Sequence, residues 1–200
     1  MHRTASRLGR GATKREMNYA SLRTCDIANG EGVRVSLFVS GCTHKCKGCF
    51  NQDAQSFAYG EPFTREVEDR ILDALAPDYI AGLTLLGGEP MEPDNQRALA
   101  PFLRRFRERF GATKTLWIYT GCVYELDLLP PSGEAIGIEY STPHRRWRTE
   151  VTDEILSMTD VLVDGPFVEA LKDISLRFRG SSNQRIIALK KCDGAGEYPA

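Results

Sequence analysis

Val35-Ser36-Leu37-Phe38-Val39-Ser40-Gly41-Cys42-Thr43-His44-Lys45-Cys46-Lys47-Gly48-Cys49-Phe50 is the stretch on which the fold and chemistry of this 200-residue chain turn. It opens as a strand, Arg34–Val39, alternating at first and then apolar. It then runs directly into a C-x3-C-x2-C loop. Three thiolates this close can hold a metal or an iron–sulfur cluster, yet structural zinc sites and electron-transfer clusters are normally closed by four protein ligands. A site one ligand short keeps a position open to water or substrate, which is the logic of a catalytic centre. Spacing alone admits three readings: an iron–sulfur site, a zinc site with His44 as fourth ligand, or cysteines that are chance neighbours or disulfide partners. Against zinc, His44 lies between the first two cysteines, where the chain is too short to wrap easily around one tetrahedral ion.

Outward from the loop the pattern alternates. Thr64 is placed to cap a helix over about Arg65–Ala76, with Val67, Ile71, Leu72 and Leu75 on one face. Leu83–Leu86 reads as a buried strand. Asp94 or Asn95 caps a second helix carrying Leu99, Phe102, Leu103, Phe106 and Phe110, with Gly111 as its stop. Thr115–Tyr119 is a strand ending in Thr120-Gly121. Glu150–Met158 reads as helix, and Asp160–Val163 and Ile186–Leu189 as strands. Strands separated by helices imply an α/β fold of parallel βα units.

Downstream, Leu83-Thr84-Leu85-Leu86 breaks into Gly87-Gly88-Glu89-Pro90. Alone this is a weak turn signal. Behind the three cysteines it resembles the radical S-adenosylmethionine (SAM) superfamily. The match narrows with Asp26-Ile27-Ala28-Asn29-Gly30-Glu31-Gly32 ahead of the first strand, Val161-Leu162-Val163-Asp164-Gly165-Pro166-Phe167 late in the chain, and Arg179-Gly180-Ser181-Ser182-Asn183-Gln184 after it. Together these resemble the activating proteins of anaerobic, class III ribonucleotide reductases, over about Met17 to Leu189. The Arg-Gly-Ser-Ser-Asn-Gln stretch separates that branch from activators of other glycyl radical enzymes.

The resemblance implies an incomplete, open βα barrel of the radical SAM type, with chemistry at the carboxyl ends of the strands. Cys42–Cys49, Gly87–Glu89, Thr120 and Asp164 all fall there. It implies that Cys42, Cys46 and Cys49 are the metal ligands of a [4Fe-4S] cluster, with the fourth iron held by the amino and carboxylate groups of SAM. Gly48, Cys49, Phe50, Gly87, Gly88 and Glu89 would border SAM. Glycines let backbone approach a ligand closely, and Glu89 or backbone carbonyls can accept from its ammonium. Asp164 reads either as a turn or cap residue before Gly165-Pro166 or as a polar contact to SAM, a cation or the reductase, work that Thr120 could share. The implied activity is reductive cleavage of SAM to methionine and a 5′-deoxyadenosyl radical, which takes a hydrogen from a glycine of the reductase catalytic subunit. A low-potential donor such as flavodoxin or ferredoxin would supply the electron. Other members of this resemblance, an activase of another glycyl radical enzyme or a radical SAM enzyme acting on a small molecule, stay open.

Two departures stand out. The wider superfamily usually carries an aromatic residue before the third cysteine. Here that place is Gly48 and the aromatic is Phe50, a form the reductase-activator branch shares. The segment from Pro130 to Arg148 is longer than the family leads one to expect.

A net charge of −1 gives no case for nucleic acid as a partner, and no apolar run approaches the ~18 residues of a membrane span. A chain of this length can bury roughly 70% of its unfolded surface, so it needs no disulfides. Six cysteines with three in one loop suit a reducing, cytoplasmic setting. Cys25, Cys122 and Cys192 lack partners at metal spacing and read as small buried or tail residues, with Cys122 near enough to Thr120-Gly121 to adjoin the site. Residues 1–16 carry basic residues without an apolar core, so they read as a disordered extension rather than a secretory signal. Met17-Asn18-Tyr19 matches the usual start of the family. The domain is then 17–190 and the tail 191–200. Arg104, Arg105, Arg107 and Arg109 read as the solvated face of their helix. His144-Arg145-Arg146-Trp147-Arg148 reads as an exposed loop or a site for an anion or partner. Arg177, Arg179 and Arg185 are placed by the resemblance against the reductase or SAM.

Overall fold

A computed structural model describes residues 17–130 and 144–190. The elements are β1 (Asn18–Asp26), β2 (Val33–Val39), β3 (Glu61–Pro62), α1 (Arg65–Ala74), β4 (Ile80–Gly87), α2 (Pro93–Phe110), β5 (Thr115–Tyr119), α3 (Thr152–Met158), β6 (Val161–Asp164) and β7 (Arg185–Ala188). They form a mixed α/β fold around one open seven-stranded sheet of order β3-β1-β2-β4-β5-β6-β7. The centre, β2-β4-β5-β6, is parallel. Both edges are antiparallel.

The centre is as the sequence predicts; the edges are not. The last strand, read as one more parallel βα unit, instead returns antiparallel to β6, with Asp164 opposite Arg185. No α-helix lies between the two strands, so the chain can only double back. The sequence reading assigned β1 no strand, because Asn18–Asp26 is mostly polar and half-exposed and shows no clean alternation. Its pairing with β2 holds it, through two irregularities in register.

Residues of one parity on the central strands face the helices. Val35, Leu37, Val39, Leu83, Leu85, Leu116, Ile118 and Leu162 pack there with Ile71, Leu72 and Leu75 of α1, with Leu99, Phe102, Leu103 and Phe106 of α2, and with Ile155 of α3. The opposite face is more polar. Ser36, Thr84, Trp117 and Val161 share one row. Below them Arg34, 1% exposed, donates to Thr84 Oγ1 and to the carbonyls of Leu83 and Thr115, and lies 5.3 Å from the Trp117 ring.

Helix ends follow local chemistry with one shift. α2 begins at Pro93, after Glu92 rather than at Asp94 or Asn95. Proline's fixed φ and missing N–H suit the first helical position. Gly111 ends it at φ 53, a left-handed conformation that favours glycine. The arginines on α2 are not simply solvated. Arg104 pairs with Glu154 of α3 (2.5 Å), Arg105 with Glu68 and Asp69 of α1, Arg109 with Asp73, and Arg107 with Asp160 (2.5 Å) and the Met158 carbonyl. They tie α2 to both neighbours.

Candidate functional site

A cleft opens at the carboxyl ends of the parallel strands. Cys42, Cys46, Cys49, Phe50, Gly87, Gly88, Glu89 and Thr120 line it, together with His44, Asn51, Tyr119, Gly121, Gly165, Phe167, Gly180 and Gln184. Of the residues singled out from sequence, Gly48 and Asp164 do not line it, although their neighbours Cys49 and Gly165 do.

The cysteine loop is pinned at its base. The Gly41 and Cys42 N–H groups donate to the carbonyls of Ala54 and Gln55, and the Gly41 carbonyl accepts from the Glu89 N–H. The Thr43 N–H donates to Glu92 Oε1 (2.6 Å). Gly88 lies so close that an added Cβ would come within 2.6 Å of the Gly41 carbonyl oxygen and 2.8 Å of that of Ala54. The close approach at Gly88 is therefore first to the loop's own backbone. Gly48 has φ +71, and a Cβ there would meet Glu169.

The Asn51 N–H donates to the Cys49 sulfur at 3.4 Å. Burial, reinforced by the Glu89 carboxylate, pushes the Cys42 thiol up to about 12, and burial pushes Cys46 up as well. Such thiols shed their protons only when a cation's charge replaces them. Among the described residues, one trio of ligand-type side chains, His44, Glu89 and Cys122, gathers its atoms within 4.8 Å, and Cys42, Cys46 and Cys49 form no such trio. A single tetrahedral zinc with Zn–S bonds of about 2.3 Å would draw its sulfurs closer than that. A donor set of three half-buried sulfurs spread over one cleft fits a multi-iron cluster better than one zinc ion.

Glu89 is 1% exposed. Its carboxylate accepts the Met91 N–H (2.8 Å) and the Gly121 N–H (2.7 Å) and lies 3.0 Å from His44 Nε2. Thr120 Oγ1 accepts the Cys122 N–H (3.0 Å). Asp164, also 1% exposed, accepts from the Tyr124 N–H (2.9 Å) and from Arg185 Nε and Nη2, while Arg185 also reaches Glu125. It thus fastens the turn after β5 to the start of β7. Between them, Gly180 and Ser181 donate N–H groups to Gln184 Oε1, Asn183 donates to the Pro166 carbonyl and Gln184 to that of Gly165. This self-closed turn contributes Gly180 and Gln184 to the cleft wall.

Phe50 is exposed and tilts against Phe167, their centroids 5.6 Å apart, with Lys172 over its ring at 4.8 Å. Phe167 closes a motif quoted from the sequence but was not read as a site residue; its signal was the Gly165-Pro166 break, which places it just past a strand's carboxyl end. Glu92, Asn95 and Trp147 had no such signal, because their partners lie far along the chain. Asn95, 1% exposed, donates to the Ser40 and Glu89 carbonyls. Trp147 is buried at 4%, not part of an exposed loop. Arg148 donates to the Leu128 carbonyl and to Asp153. Cys122 is buried beside His44, as its position suggested, whereas Cys25 is exposed on β1. Cys192, residues 1–16 and 191–200, and most of the long segment from Pro130 to Arg148 lie outside the described residues. No helix among the described residues is long and apolar enough to cross a membrane.

Residues 28–187 match the family model described as a 4Fe-4S single cluster domain. The chain is 40% identical over 176 residues to the anaerobic ribonucleoside-triphosphate reductase-activating protein of Haemophilus influenzae, covering 87% of this chain and 99% of that one. Identity to the protein of the same name from Pasteurella multocida is 42% over 172 residues, covering 85% and 96%. To that of Enterobacteria phage T4 it is 34% over 170 residues, covering 85% and 93%.

Proposed function

The chain belongs to the anaerobic ribonucleoside-triphosphate reductase-activating protein family, with a 4Fe-4S single cluster domain, and we propose that it activates such a reductase by installing a glycyl radical on its catalytic subunit. The observation that carries this is the union of Cys42, Cys46 and Cys49 with the Gly87-Gly88-Glu89 strand end in one cleft. In this reading Cys42, Cys46 and Cys49 would hold a [4Fe-4S] cluster through three of its irons, leaving the fourth for SAM. We assign the open sheet to the incomplete barrel of the radical SAM type. When bound, the cluster supplies one electron that splits SAM into methionine and a 5′-deoxyadenosyl radical able to take a hydrogen atom from a glycine α-carbon.

The chain's own residues bind, orient and shield. The Asn51 N–H, on the Cys49 sulfur, would help to stabilise the reduced cluster. The backbone at Gly87 and Gly88 presents a surface without side chains to the methionine end of SAM. Phe50 and Phe167 form an apolar lip where a purine can stack. Thr120 and Asp164 act mainly by holding the strand ends in place, since their polar atoms already bond within the chain. The electron comes from a low-potential donor such as flavodoxin or ferredoxin, and the setting is the cytoplasm. No nucleic acid or membrane takes part.

Anaerobic purification with iron and sulfide counts, followed by dithionite and SAM, tests the proposal. Four irons per chain, formation of 5′-deoxyadenosine and a glycyl radical EPR signal on added class III reductase are expected. A protein that carries its cluster yet yields no 5′-deoxyadenosine defeats it.

A further inference from the structure

We propose that His44 is a positioning residue of the cysteine loop, its ring gripped between Glu89 and Trp147 so that the arc from Cys42 to Cys46 keeps one conformation. The inference rests on the iron–sulfur reading of the three cysteines and adds to it a side chain that is not a ligand.

His44 sits between two of the cysteines, but its ring turns to the ends of β4 and β5. Its Nε2 is 3.0 Å from Glu89 Oε2 and 3.8 Å from Cys122 Sγ. Its face stacks on Trp147, with centroids 4.3 Å apart and planes 14° from parallel. Both partners are themselves anchored. Glu89 is buried and accepts two backbone N–H groups. The Trp147 carbonyl accepts from Gln96 of α2 at 2.6 Å. Gly121 makes room, since a Cβ there would come within 2.7 Å of the ring.

With Glu89 Oε2 accepting the Gly121 N–H and the His44 ring against both Glu89 and Cys122, the trio acts as a polar tie. What the tie holds is specific. The next residue, Lys45, has φ 51 without being glycine, a conformation that persists only where the surroundings enforce it. His44 and Lys45 lie in the arc between Cys42 and Cys46, two of the three sulfurs that line the cleft. Solvent exposure and hydrogen bonding around a cluster help set its reduction potential. Loosening this arc therefore shifts the midpoint.

Full-length wild type, His44→Leu and His44→Gln, reconstituted anaerobically with ferrous iron and sulfide, are compared by iron content, EPR line shape of the reduced cluster and midpoint potential, without SAM or reductase. Leucine gives Glu89 no hydrogen bond; glutamine restores a donor but not the stack. Losing an outer-shell partner weakens metal binding by about 10–100-fold, so His44→Leu should take up less iron, and the cluster it does form should show a shifted midpoint and altered line shape. His44→Gln should regain the iron and show a midpoint between the two. Wild-type iron, line shape and midpoint in His44→Leu overturn the proposal. Should circular dichroism show His44→Leu unfolded, wild-type line shape and midpoint in His44→Gln overturn it. A wild type that takes up no [4Fe-4S] cluster overturns the iron–sulfur reading and this inference with it, whereas cluster-bearing variants indistinguishable from wild type overturn the inference alone.

Discussion

Cys42, Cys46 and Cys49 share one cleft, while Cys122 is packed in the helix-side core and Cys25 lies exposed on β1. Alanine at any of the first three should abolish the cluster chromophore after anaerobic reconstitution. Cys25→Ala and Cys122→Ala should keep it, the latter losing about 1–2 kcal/mol of stability as a core truncation. Loss of the chromophore in Cys122→Ala would mean that a fourth protein ligand closes the site. That the three cysteines share one cleft was legible because their spacing is local. Asp164 was legible as a strand-end residue but not in its role, because its partner Arg185 lies on a strand whose direction the sequence did not reveal. With its carboxylate bonded to Tyr124 and Arg185, Asp164→Asn should cost about 1–3 kcal/mol through the loss of charge-assisted hydrogen bonds. That corresponds to roughly 2–4 °C in Tm for each kcal/mol. Unchanged Tm with slowed SAM cleavage would instead place the carboxylate on the ligand.

At the scale of elements, periodic apolar faces made α1, α2, β2, β4, β5 and β6 readable, while β1 and β7 are defined by pairing partners that no local pattern encodes. The arginines of α2 show the same limit, since a polar face looks alike whether it meets water or the carboxylates of neighbouring helices. Arg104 holds Glu154, Arg97 holds Glu150 and Arg105 holds Asp69 below their usual carboxylate ranges. A lowered native value means that the native state binds fewer protons than the unfolded chain. The stabilisation is therefore full above the ordinary carboxylate range of about pH 4–4.5 and drains as pH falls through the lowered native values. Thermal melts of the metal-free protein should fall in Tm over that window. The fall should be shallower in an Arg97→Ala/Arg104→Ala double variant and in high salt, which screens exposed pairs. An identical slope in the double variant would show that other carboxylates govern acid unfolding.

For the molecule as a whole, the parallel centre of the sheet gathers four strand ends, and the last residues of β4 and β5 with the loops that follow the strands build the cleft. Its position was legible once strands and motifs were aligned. Its closure was not, because the roof from Gly165 to Gln184 is held by side chain-to-backbone bonds among residues of low hydropathy. The proposed chelation of SAM by the cluster makes the two ligands interdependent, because the open iron supplies part of the SAM site. Ligand bound only to the folded state stabilises by RT ln(1 + [L]/Kd), about 2.7 kcal/mol at a hundredfold excess over Kd. In a domain of this size that is ~5–10 °C in Tm. Cluster-loaded wild type at such a SAM concentration should show a shift of that order. The Cys42→Ala/Cys46→Ala/Cys49→Ala variant should show little, even if its cleft is otherwise intact. Equal shifts in both proteins would place SAM in the cleft without iron and break the link between the three-cysteine site and its open position.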